Sequence, residues 1–136
     1  MFHPVLNVGV TQPFMLVGRP NHTAEDPTWD TFWDQLAARG TRRAQLEVGK
    51  TQHGSFTDVP ALLTAVNISS SVGGQQGEIL REQFGAVNWS RMQEIVLKVV
   101  VGFLQFGLDG ETVVAPVLTK DGDPTLPEVH LVRGDL

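Results

Sequence analysis

Two short apolar runs, each followed by a segment of helical periodicity, restrict this chain to one kind of architecture. Pro13-Phe-Met-Leu-Val-Gly18 is continuously apolar and closed by Gly18 and Pro20, which suits a strand buried on both faces. After a loop from Arg19 to Glu25, Asp26-Pro27 reads as an N-cap followed by proline at the first helical position. Trp29, Phe32, Trp33, Leu36 and Ala37 then recur at helical spacing. Gly40 ends that helix, and Arg43 to Val48 alternates as a second strand with Ala44, Leu46 and Val48 on one face. Beyond it, Ser55 or Thr57 can cap a helix carrying Pro60 in its first turn and Val59, Leu62, Leu63 and Val66 on its buried face. Strand, helix, strand, helix is the order of a parallel sheet covered by helices, so an α/β fold is expected.

The rest of the chain is less regular. Asn67 to Gly77, with its Ser-Ser-Ser and Gly-Gly runs, reads as a flexible connection. Trp89 to Leu108 is long and apolar, but Arg91, Glu94, Lys98 and Gln105 interrupt a window only about as long as a bilayer needs. Its stripe recurs at three and four residues, so a packed helix is expected and no transmembrane segment. From Asp109 onward six acids face two bases, and this acidic tail is expected either to fold as a hairpin or to be disordered. In the hairpin, Val113 to Leu118 would pair with Val129 to Val132 around Lys120-Asp-Gly-Asp-Pro124. At 136 residues the whole is the size of one domain with a tail.

Composition excludes several functions. A net charge of −5 gives no electrostatic reason to bind nucleic acid, and the absence of cysteine removes disulfides, thiol chemistry and Cys-based zinc sites. The spacing of His3, His22 and His130 fits no metal site, and each reads as structural or solvent-exposed. The first ten residues have neither a basic region nor a long apolar core, so no signal peptide is read there. The sequons at Asn21, Asn67 and Asn88 would nonetheless fit a chain that passes through a secretory pathway, and the compartment stays open. One residue stands apart. His53 follows the second strand, in Gln52-His-Gly-Ser-Phe-Thr-Asp58, and a histidine on the loop at the carboxyl end of a sheet strand is placed to act as a general base near neutral pH. Asp58, in the same segment, suits the first turn of the following helix.

Together these units resemble the C-terminal part of an α/β-hydrolase, and more narrowly the platelet-activating-factor acetylhydrolase-like esterases. The residues carrying the resemblance are Gln12-Pro-Phe-Met-Leu-Val-Gly18, Asp26-Pro-Thr-Trp-Asp-Thr-Phe-Trp33, the strand ending at Val48, the His53 segment, and the helix ending Phe106-Gly-Leu-Asp-Gly110. It covers about residues 4 to 110 and leaves 111 to 136 as the tail. The resemblance implies a serine esterase acting on a short acyl ester, such as the acetyl group of an ether phospholipid, without metal or organic cofactor. In such enzymes a serine on a G-x-S-x-G elbow attacks the ester, a histidine takes its proton, and an acid orients the histidine. Only the histidine role transfers, to His53. No G-x-S-x-G occurs in these 136 residues, and the family's acid follows the strand before Gln12 to Gly18. Asp26, where many other α/β-hydrolases carry the acid, is the fallback, although capping explains it as well. The expectation is a C-terminal portion of a larger hydrolase, inactive and poorly stable alone because its parallel strands lack neighbours. The alternative is a non-catalytic α/β binding module or pseudoenzyme that keeps the hydrolase surface.

Overall fold

A computed structural model describes residues 7–66, 68, 73–110 and 112–136. The first strand, β1 (Phe14–Gly18), leads into a one-turn helix α1 (His22–Glu25) and then into α2 (Thr28–Ala38). Asp26 opens α2: its Oδ1 accepts from the Thr28 backbone N–H at 3.0 Å and from the Thr28 hydroxyl at 2.6 Å. A Schellman motif closes it. The Thr41 N–H donates to the Leu36 carbonyl at 3.0 Å and the Gly40 N–H to that of Ala37 at 2.9 Å, with Gly40 at φ +65 where a side chain would be strained.

Strand β2 (Arg43–Val48) pairs in parallel with β1, and its alternation sorts the two layers of helix around the sheet. Met15, Val17, Leu46 and Val48 face α5 (Trp89–Leu108), whose Met92, Ile95 and Val99 are buried against them. Phe14 faces the opposite layer, against Phe32 and Leu36 of α2, with the rings of Phe14 and Phe32 edge to face at 5.1 Å. On that face Gln45 is buried and fully partnered: its Nε2 donates to the Thr23 hydroxyl, and its Oε1 accepts from Arg133, both at 2.7 Å. The Trp33 ring is in contact with two guanidinium groups, Arg43 at 4.2 Å and Arg133 at 4.5 Å from its centroid.

Three expectations are corrected. The sheet is mixed, not wholly parallel, because β3 (Val129–Gly134) runs antiparallel to β2 along its free edge, with a bulge opposite Gln45 and Leu46. That pairing also replaces the expected hairpin: Val113 to Leu118 holds no strand but a 3-10 turn, Pro116–Leu118. Val117, Leu118, Leu126 and Val129 are buried in the same core as Leu46 and Ile95, so the terminal segment is packed as well as acidic. The helix after His53, α3 (Val59–Ala65), buries none of the face expected to be buried: Leu63 is half-buried, and Val59, Leu62 and Val66 are open to solvent. The connection expected from Asn67 to Gly77 lies partly outside the described residues, and its end belongs to a helix, α4 (Gln75–Phe84).

The long helix α5 spans the residues its apolar stripe suggests. Asn88 caps it, its side chain accepting from the Arg91 backbone N–H at 2.9 Å. Among the described residues no helix is long and apolar enough to cross a membrane.

Candidate functional site

Parallel pairing sends the exits of β1 and β2 toward the same end of the sheet, and the chemistry-bearing residues follow from that. The β1 exit carries Arg19, His22 and Asp26; the β2 exit carries His53. A cleft of about 300 Å³ opens there, lined by Gly18, Arg19, His22, Trp29, His53 and Phe56 among others.

His53 is exposed and begins a 3-10 turn, His53–Phe56. Among the described residues its ring makes no side-chain hydrogen bond. Its ring contact is with His22, the two imidazoles lying nearly parallel with centroids 6.5 Å apart. His22 in turn packs edge to face on Trp29 at 4.2 Å. Trp29 fits because β1 ends in glycine: a Cβ on Gly18 would lie 3.0 Å from the Trp29 ring. Arg19 pairs with Glu25 beside this wall, and that hydrogen bond holds the Glu25 carboxyl below its usual range. The site is therefore an aromatic cleft with two imidazoles and one cation engaged by its own acid.

The turn carrying His53 is itself a capped structure. The Gln52 N–H donates to the Ser55 hydroxyl at 2.9 Å, and the Ser55 N–H to the Gln52 carbonyl at 2.9 Å. Ser55 is consequently spent on this turn, and it is Thr57 whose hydroxyl accepts from the first N–H of α3, at 3.4 Å. Asp26, the fallback acid, is held well below its ordinary range chiefly by the Thr28 hydroxyl, and neither of its hydrogen bonds reaches His53. It serves α2. His22, read from sequence as structural or solvent-exposed, lies beside His53 because the one-turn helix folds the β1 exit back toward β2. The signal for this would have been its position, four residues beyond the end of a strand parallel to the one before His53. His130 is on β3, and His3 lies outside the described residues. No cluster of three or more His, Cys, Asp or Glu side chains able to hold a metal occurs among the described residues.

A small mixed sheet with helices packed on both faces fits the α/β class. Comparison with known proteins points the same way. The chain is 26% identical over 103 residues to a probable 1-alkyl-2-acetylglycerophosphocholine esterase from Arthroderma benhamiae, a match that takes in 74% of this chain and 26% of that protein. Its structure is similar to that of a ferulic acid esterase from Streptomyces cinnamoneus, with a TM-score of 0.69 and 25% identity over 93% of this chain and 35% of the other. No protein-family model matches. The chain thus spans between a quarter and about a third of the proteins it matches. Both are esterases by name, which supports an ester-hydrolase relationship without singling out the acetylhydrolases.

Proposed function

We propose that this chain supplies the proton-relay histidine of an ester hydrolase. In this reading His53 takes the proton from an attacking hydroxyl and returns it to the leaving alcohol, the two halves of acyl transfer that need a base near neutral pH. The observation that carries the reading is the place of His53, exposed at the exit of a parallel strand and facing a cleft. The nucleophile and the orienting acid come from outside these 136 residues, since no G-x-S-x-G occurs here and Asp26 is engaged by Thr28. The chain alone is inactive. The substrate is a short acyl ester, in the finer form the acetyl ester of an ether phospholipid, supported by the name of the Arthroderma relative.

A chimera tests this. The aligned segment of the Streptomyces cinnamoneus esterase is replaced by residues 1–136, and hydrolysis of p-nitrophenyl acetate, an acetylated ether phospholipid and methyl ferulate is compared. The chimera is expected to hydrolyse p-nitrophenyl acetate and the acetylated phospholipid, while the isolated chain stays at the buffer rate. Turnover by the isolated chain, or a folded chimera without activity on any ester, would refute the reading. Preference for methyl ferulate over the acetyl esters would refute the phospholipid substrate alone.

A further inference from the structure

Hydrogen bonds and close backbone approach tie the turn of His53 to α4, a helix that contributes nothing to the cleft. Ser55 is 2% exposed. Its hydroxyl accepts from the Gln52 N–H at 2.9 Å and donates to the Phe84 carbonyl, the last of α4, at 2.6 Å. On both sides the two segments come too close for a side chain between them. A Cβ on Gly54 would lie 2.6 Å from the Gln83 carbonyl oxygen, and one on Gly85, at φ +70, 2.5 Å from that of Lys50. Next to it the Ala86 N–H donates to the Lys50 carbonyl at 2.8 Å. Residues 50–55 are therefore docked on 83–86 through backbone, with Ser55 as the side chain that joins them.

We propose that Ser55 is a positioning residue for His53. The imidazole is exposed and has no hydrogen-bond partner among the described residues, so its place beside His22 depends on the backbone of its own turn. That turn is closed on the Gln52 side and anchored on the Phe84 side by one hydroxyl. A hydroxyl accepts one hydrogen bond while donating another, which an alanine methyl does for neither partner. Without it the Gln52 N–H and the Phe84 carbonyl lose their partner together, and the turn is free to rotate His53 away from His22. The structural claim stands on these contacts; its consequence for catalysis rests on the reading of His53 as the proton relay.

The test is made first in the 136-residue chain, by the nuclear Overhauser effect between the ring protons of His53 and His22. The parent is expected to show the cross-peak, and its absence in the folded parent would overturn the placement of His53 beside His22. Ser55→Ala is expected to lose at least about half its intensity and to shift the His53 ring resonances, leaving those of His130 on β3 in place. Ser55→Cys fills the same space with a poor hydrogen-bonding group and is expected to give the same loss, which separates the hydroxyl from packing. Either variant folded with the cross-peak intact overturns the proposal. In the chimera, Ser55→Ala is expected to lower kcat about tenfold with KM unchanged within about twofold; an unchanged kcat would also overturn it. Should His53→Ala leave the chimera active, the relay reading falls while the Overhauser result still decides the placement.

Discussion

Arg91 shows how a single side chain secures the terminal segment. Its Nε and Nη2 reach the two oxygens of Glu128 at 3.1 and 2.7 Å, Nη2 also donates to the Thr125 carbonyl at 2.7 Å, and Nη1 meets Glu94 at 2.8 Å. The fork geometry of guanidinium makes this arrangement available to arginine and not to lysine. The Arg91 hydrogen bonds hold both carboxyls below their ordinary value near 4.5. A carboxylate whose folded value is depressed stabilises the fold above its unfolded value, and that contribution disappears as pH falls through the folded value. Arg91→Met is therefore expected to lower the melting temperature by a few degrees at pH 7, and the gap from the parent to close as the pH falls from about 5 toward 3. A gap that stays constant over that range would contradict the assignment. Arg91 was legible in the sequence only as a charge inside an apolar helix; Glu128, 37 positions away, gave no sign of being its partner.

Elements read well where their pattern is local and poorly where it depends on a distant partner. β2 and α5 occupy the residues their periodicity marks out, because alternation and a three-and-four stripe report directly on which side of an element is apolar. α4 is hard to read from sequence because its apolar residues, Ile79, Leu80 and Phe84, are few among Gln75, Gln76, Glu78, Arg81, Glu82 and Gln83, and Gly77 interrupts its first turn. β3 was visible as an apolar run, yet nothing in it names β2, some eighty residues earlier, as the strand it joins. Leu126, in the approach to β3, is fully buried with Leu46, Met92 and Ile95. Leu126→Ala is expected to cost about 2–5 kcal/mol and to lower the melting temperature by roughly 10 °C in a calorimetric scan. A change within about 1 °C, the usual effect in a solvated segment, would show that residues 111–136 are not packed as described.

At the scale of the whole molecule, two helical layers bury β2 while leaving other apolar faces open. Leu97, Leu104 and Leu108 of α5 and Leu62 and Val66 of the α3 segment are more than half exposed, a large amount of apolar surface for so small a fold. A groove of about 530 Å³ between α5 and residues 55–58 continues this surface toward the turn of His53. The sequence made the position of His53 readable, since strand exits are where such sheets carry their chemistry. It did not make readable the wall of His22 and Trp29 or the anchoring by Ser55, because both depend on how loops return to the sheet. The central claim is that His53 moves a proton in ester hydrolysis. It is tested most directly by kcat/KM for p-nitrophenyl acetate in the chimera and its His53→Ala variant. A loss of at least about a thousandfold in a variant with unchanged melting temperature is the result expected of a relay histidine, and a folded variant that keeps the parent rate would contradict the account.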